Sequence, residues 1–174
     1  MGMPTVREAH GDIWALADSL HADAICIPSN ASLKTNGCAV MGAGIAKQAR
    51  DRYKDVDRVA GIAIKMARDL AKTAIFDSVF HKRAGFAGAE VSAIKVTSKL
   101  VIVMFPTKLL WWDKSILELI VVSAQGLAKL VPAAGWETVL LPRPGCGCGG
   151  LEWPVVKKAI MDILPDEVIV VTDR

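Results

Sequence analysis

The residues in this chain that could do chemistry are few, and most sit beside glycine. Two glycine-rich segments lie about a hundred residues apart: Asn36 to Ala46 (NGCAVMGAGIA) and Pro144 to Trp153 (PGCGCGGLEW). Each falls where an apolar, strand-like run gives way to a helical pattern. Glycines at such a junction let backbone N–H groups approach a ligand closely, and a helix N-terminus beside them favours an anion. Two such loops point to a phosphate-bearing ligand held from both sides. Neither is a familiar phosphate motif. Gly37 and Gly42 have the spacing of a P-loop, but Ala43 and Gly44 follow where Lys and Ser/Thr are needed. Gly42-x-Gly44 lacks the third glycine of a dinucleotide fingerprint, and position 47 is lysine.

Three side chains join the loops as candidates. Asp12, in Gly11-Asp12-Ile13, is well suited to cap a helix, and its carboxylate could equally accept a hydrogen bond from an exocyclic amine such as that of adenine. Lys108 follows the apolar run ending Met104-Phe105-Pro106-Thr107, with Trp111 and Trp112 just beyond. A lysine at a strand end beside aromatics can serve as a nucleophile. On residues alone, a surface lysine with tryptophans packed beneath it is the simpler reading. Cys146-x-Cys148 has the wrong spacing for a zinc knuckle, and His10, His21 and His81 form no paired motif, so neither a metal nor a cofactor is expected. The other cysteines are Cys26 and Cys38, and the set does not read as a disulfide framework.

The elements that must position these residues alternate. Strands are expected over Thr5–Ala9, Ala24–Pro28, Glu90–Val96, Leu100–Phe105, Thr138–Leu141 and Glu167–Thr172. Helical spacing covers Trp14–Leu20, the segment after Gly44, Val56–Lys72, Ser115–Val131 and Glu152–Leu164. Ser115 with Glu118 reads as a capping box, and Lys82–Gly88 as a glycine-punctuated turn. Several strands are apolar on both faces, which calls for a mostly parallel or mixed sheet covered by helices on both sides. Ligands of such sheets bind outside the carboxyl ends of the strands, where both glycine-rich loops fall.

Composition narrows the class. The 174 residues are expected to form one domain, residues 1–174, with 52% hydrophobic content and a net charge of +3. The apolar runs Leu100–Pro106 and Ile116–Ala124 are too short or too interrupted for a membrane span. The first residues lack the apolar core of a signal peptide, so a cytoplasmic location is expected. The modest charge neither demands nor excludes a nucleic-acid partner.

Gly11-Asp12-Ile13, Ala24 to Asn30, Met41-Gly42-Ala43-Gly44-Ile45-Ala46 and Leu141-Pro142-Arg143-x-Gly145-Cys146-Gly147 together resemble the macrodomain family of ADP-ribose-binding modules, in order over nearly the whole chain. The resemblance implies an α/β fold: a three-layer α/β/α sandwich with a central mixed, mostly parallel sheet. It implies adenine on Asp12, with Ile13 beside it among the ligand-binding residues, the distal ribose against Asn30, Gly42, Ala43, Gly44 and Ile45, and the diphosphate in Gly145, Cys146, Gly147 and Cys148. MGAGIA with FPTK and GCGxGGLxW is further similar to the branch holding the terminal ADP-ribose–protein glycohydrolase and the DNA ADP-ribosyl glycohydrolase antitoxins. In that branch a lysine at the Lys108 position attacks the anomeric carbon of the distal ribose, which raises Lys108 to a catalytic candidate. The terminal glycohydrolase also uses an aspartate where this chain has Gly149. The implied activity is removal of ADP-ribose from a nucleobase or protein conjugate. The implied partner is ADP-ribose or an ADP-ribosylated macromolecule, DNA among the possibilities. A non-catalytic reader and an ADP-ribose 1″-phosphate phosphatase are the alternatives.

Overall fold

The computed structural model describes residues 7–71 and 89–173. The turn expected over Lys82–Gly88, and His81, lie outside them, as do Thr5 and Lys72. A six-stranded sheet carries β1 (Arg7–His10), β2 (Ala24–Asn30), β3 (Ser92–Lys95), β4 (Val101–Lys108), β5 (Val139–Pro142) and β6 (Val168–Thr172), in the order β1-β6-β5-β2-β4-β3. All neighbours are parallel except β3 and β4, which pair antiparallel as a hairpin. The described helices are α1 (Ile13–Ser19), α2 (Gly44–Arg52), α3 (Val56–Ala71), α4 (Leu117–Ala134) and α5 (Trp153–Ile160).

Alternation along the strands builds two cores. Ile25 and Ile27 of β2, Ile102 and Met104 of β4, and Leu140 of β5 face Trp14 and Ala17 of α1, Ala49 of α2 and Ala60 of α3. Their immediate neighbours, Ala24, Cys26, Val103, Phe105, Val139 and Leu141, face Ile120, Ala124 and Leu127 of α4 and Val156 and Ile160 of α5. Strands apolar at every position therefore have a helical layer on each side. The sequence-derived expectation of a three-layer sandwich with a mixed sheet holds.

Two helices differ from expectation, one of them at both ends. Ser115 does not cap α4: the N-cap is Ile116, with no side-chain cap bond, and the Ser115 N–H donates instead to the Gly149 carbonyl at 3.0 Å. The second glycine-rich loop competes for Ser115 and pulls it out of the helix. At its other end α4 runs past Val131 and through Pro132 to Ala134, where Gly135 at φ 69° supplies the left-handed cap. Helix α4 is thus longer than the Ile116–Ala124 run, and by length and composition alone it could cross a bilayer. One face of it, Leu119, Ile120, Ala124, Leu127 and Val131, is buried within the fold. Helix α5 stops at Ile160 rather than Leu164, and short turns complete the segment.

The carboxyl ends of the strands explain where a ligand could sit. β2 pairs with β5 only through Ala24 and Ile25, whereas it pairs with β4 along its whole length. Beyond Ile25 the two central strands part. The chain leaves β2 toward α2, on one face, and leaves β5 toward α5, on the other. This is a topological switch point, the place where open α/β sheets form a crevice.

Candidate functional site at the sheet switch point

Both glycine-rich loops border this crevice, one leaving β2 and the other β5. The first is shaped by a small hairpin over 33–39. Leu33 bridges Ala39, the Lys34 N–H donates to the Cys38 carbonyl at 2.8 Å, and the Ala39 N–H donates to Asp57 of α3 at 2.8 Å. Gly61 of α3 makes that packing possible: a Cβ there would lie 2.0 Å from the Gly37 carbonyl oxygen. Asn30 ties the loop to its strand. Its Nδ2 donates to the Val40 carbonyl at 3.1 Å and its Oδ1 accepts from the Ser32 N–H at 2.9 Å. The amide keeps one N–H and one lone pair for a ligand.

Beyond this brace the chain reaches Met41, which is buried, and then Gly42, Ala43 and Gly44, which are exposed. Space is open around Gly42 and Gly44, so backbone is accessible there. Ala43 is the N-cap of α2 and has no capping side chain; the first bond into the helix is Lys47 N–H to the Ala43 carbonyl. The intervening N–H groups are the orphan donors of a helix start. Ile45 packs partly into the first core and anchors that turn.

The second loop is fastened to itself. The Leu151 N–H donates to the Gly145 carbonyl at 2.9 Å and the Gly150 N–H to the Gly147 carbonyl at 3.1 Å. Gly145, at φ 76°, and Gly149 are packed tightly against Ser115, while Gly147 has open space around it. Gly147 and Cys148 are exposed, and their N–H groups have no partner among the described residues. Cys146 is half-buried against the second core, and burial raises its thiol pKa despite the nearby Arg143. Cys148 is exposed. The loop's far end is pinned. The Glu8 carboxylate of β1 accepts from Trp153 Nε1 at 3.0 Å and pairs with Lys157 at 3.2 Å, while Arg143 lies over the Trp153 ring. Burial pushes the Glu8 pKa up, but the Lys157 and Trp153 hydrogen bonds outweigh it and hold the group below its usual range.

Asp12 is the N-cap of α1: its Oδ1 accepts from the Ala15 N–H at 2.9 Å. The residue is exposed, and Oδ2 makes no hydrogen bond with the described residues, so capping and ligand recognition can coexist on one carboxylate. The Ile13 side chain is buried in the first core, which leaves only its backbone for a ligand.

Lys108 is the last residue of β4, directly opposite Asn30 in the register. The prolines near this end, Pro28 and Pro106, cannot donate to the ladder. Side chains fasten it instead: Thr107 Oγ1 donates to the Ser29 carbonyl at 3.3 Å and Ser123 Oγ to the Pro106 carbonyl at 2.7 Å. Lys108 Nζ donates to the Asp113 carbonyl at 3.0 Å. Trp111 and Trp112 are not packed beneath the lysine as the simpler reading supposed; both are exposed, at 54% and 63%. Ser32, a residue the sequence did not single out, joins the two regions. Its Oγ donates to the Leu109 carbonyl at 3.3 Å and accepts from the Trp111 N–H at 3.1 Å. Among the described residues no group of three or more His, Cys, Asp and Glu converges on a point.

The structure is similar to that of the DarG macrodomain of Mycobacterium tuberculosis, at 22% identity and TM-score 0.72, covering 97% of this chain and 98% of that one. The chain folds as a macrodomain. The DarG macrodomain of Thermus aquaticus matches equally, at 21% identity and TM-score 0.71, with 97% of this chain and 98% of that one covered. DarTG of Thermosipho africanus, solved in complex with ADP-ribose, matches at 21% identity and TM-score 0.63 over 86% of this chain and 38% of that one. A curated protein of Thermosipho africanus, a DNA ADP-ribosyl transferase–DNA ADP-ribosyl glycohydrolase fusion, is 25% identical over 126 residues, 72% of this chain. The chain spans about a third of that relative's length, 32%. No family model matches the chain.

Proposed function

We propose that this macrodomain binds ADP-ribose and acts as an ADP-ribosyl glycohydrolase, releasing ADP-ribose from a nucleobase or protein conjugate. The observation that carries the reading is the switch point itself. Two glycine-rich loops leave adjacent strands on opposite faces and both expose backbone, with N–H groups at Gly147 and Cys148 that have no partner among the described residues. Backbone donors of this kind suit a diphosphate, which accepts hydrogen bonds and carries charge. Asp12 would accept the adenine amine through Oδ2. Asn30 and Gly42 to Ile45 would hold the distal ribose, with Gly145 to Cys148 around the diphosphate. Lys108, opposite Asn30 in the sheet, would then act at the anomeric carbon, directly as a nucleophile or by stabilising the sugar. Fixing the ribose beside the amine is a proximity effect. DNA is among the conjugates this reading admits, in keeping with the DNA-directed activity of the curated relative.

The test is Lys108→Ala assayed on ADP-ribosylated thymidine, glutamate and serine conjugates. Release should fall at least a hundredfold while ADP-ribose binding by calorimetry persists; unchanged turnover would sink the mechanism. A second reading, a non-catalytic reader, is favoured by one observation: Lys108 Nζ is engaged by the Asp113 carbonyl, turned to its own loop. A reader would bind ADP-ribose and release it from no conjugate.

A further inference from the structure

The turn that follows Lys108 has a composition its geometry does not ask for. The Asp113 N–H donates to the Leu110 carbonyl at 3.1 Å, which puts Trp111 and Trp112 at the two central positions. Those positions ordinarily take glycine, asparagine, aspartate or proline, because they are solvent-facing and conformationally demanding. Here they hold two indoles more than half exposed, after a Leu110 that is 40% exposed. Contiguous apolar surface left in water marks a place where something else binds.

The turn is also held rather than slack. Ser32 Oγ accepts from the Trp111 N–H, and Lys108 Nζ closes the turn from the other side on Asp113. The indoles meet edge to face, with ring centres 5.4 Å apart and planes at 87°. No other ring partners them among the described residues. They form an exposed, edge-to-face corner three and four residues from Lys108. Lys114 beside it is exposed and makes no ion pair among the described residues. Asp113 is the one acidic residue between Lys108 and Lys114.

We propose that this corner is the aglycone platform of the site: Trp111 and Trp112 stack the planar, aromatic group attached to the anomeric carbon, a nucleobase on an unpaired strand, while Lys108 engages the sugar. The inference rests on the ADP-ribose reading above. A base presents a π-face that an indole can cover whatever its sequence context, and the phosphates flanking it complement Lys114. A glutamate or serine conjugate brings no ring to the corner.

The experiment compares binding of free ADP-ribose, an ADP-ribosylated thymidine in a short single-stranded oligonucleotide, and an ADP-ribosylated glutamate peptide. All arms use a Lys108→Gln background, which slows consumption of the conjugates and keeps a donor for the Asp113 carbonyl. The nucleobase conjugate should bind roughly ten- to a hundredfold more tightly than free ADP-ribose, the range expected for stacking one base. Trp111→Ala with Trp112→Ala should erase that gain, and the two Phe replacements should restore most of it. Affinity for free ADP-ribose should move less than twofold. Equal affinity for nucleobase conjugate and free ADP-ribose, a gain that survives loss of both indoles, or an equal gain for the glutamate peptide would overturn the platform and leave ADP-ribose binding intact. Failure to bind free ADP-ribose would overturn the functional reading itself, and the platform with it.

Discussion

Gly149 offers the sharpest test of how the second loop is built. A Cβ there would lie 2.1 Å from Ser115 Oγ, 2.8 Å from Ser115 Cβ and 2.6 Å from the Gly145 carbonyl oxygen. The first contact is with a hydroxyl that can rotate away, but the last is with backbone. Moving the Gly145 carbonyl loosens its bond from the Leu151 N–H, which closes the loop at 2.9 Å. Overpacking of this kind costs about 1–3 kcal/mol, and a weakened loop bond adds about 1 kcal/mol. We therefore expect Gly149→Ala to lose about 2–4 kcal/mol, seen as a lower urea midpoint at unchanged m. In a domain of this size that is a fall in Tm of roughly 5–15 °C.

Two controls isolate the cause. Gly147→Ala, in the same loop with nothing within 4 Å, should cost less than about 0.5 kcal/mol. Ser115→Ala should be neutral or slightly stabilising, because Ser115 is only 8% exposed and its hydroxyl is buried with no partner among the described residues. Combined with Gly149→Ala it should recover only part of the loss, since the Gly145 carbonyl remains in the way. If Gly149→Ala unfolds at the same urea concentration as Gly147→Ala, the packing argument is wrong. If Ser115→Ala rescues it fully, the backbone contact is not the one that matters.

Four further outcomes are expected. Asp12→Asn should keep the α1 cap, and with it thermal stability, but weaken ADP-ribose binding in calorimetry, because its single oxygen stays committed to Ala15; Asp12→Ala should lose both, the cap costing about 1 kcal/mol. Ser32→Ala should destabilise by about 1–2 kcal/mol and speed hydrogen exchange at the Trp111 amide, which loses its acceptor. The Glu8 pKa is lowered in the fold, so its contribution is fully present above the unfolded carboxyl's range and is lost as pH falls through the folded value. Glu8→Gln should therefore flatten the acid limb of stability in urea titrations below about pH 5. Burial pushes the Cys26 thiol far above its usual range, so a thiol reagent at neutral pH should modify exposed Cys148 first and Cys26 only on unfolding.

The layer architecture was legible because it depends on local pattern. Uninterrupted runs such as Ala24–Ile27 and Val101–Phe105 demand cover on both faces, and the helical spacing between them supplies it. The two loops were legible for the same reason, as glycine clusters at strand-to-helix junctions. What escaped the sequence depends on contacts between distant segments. Ser115 and Glu118 have the spacing of a capping box, yet the Gly149 carbonyl takes the Ser115 N–H from outside the helix. Ser32 is an ordinary loop serine until Leu109 and Trp111 lie beside it, 77 and 79 residues on. Gly61 looks like a weak point in a helix until the Gly37 carbonyl is found where its Cβ would be.

Gly149 shows how that blind spot bears on function. The resemblance to the glycohydrolase branch implies an aspartate at this position in the terminal glycohydrolase, so on sequence alone the glycine reads as a lost catalytic group. In the fold it is buried, and its Cα faces Ser115 and the Gly145 carbonyl rather than the open side of the loop. An aspartate could not be restored there by substitution alone: its Cβ would already collide with Ser115 and with the Gly145 carbonyl oxygen. The glycine is thus a requirement of this loop's closure, coupled to the serine at position 115. Any chemistry at this end of the crevice must be arranged without a side chain at 149, and in the function proposed above it falls to Lys108. A Gly149→Asp variant should accordingly lose stability at least as severely as Gly149→Ala and gain no turnover of a glutamate conjugate. A stable Gly149→Asp protein that gained that activity would show that the loop can reopen around a carboxylate, and that the glycine is a matter of catalysis rather than of packing.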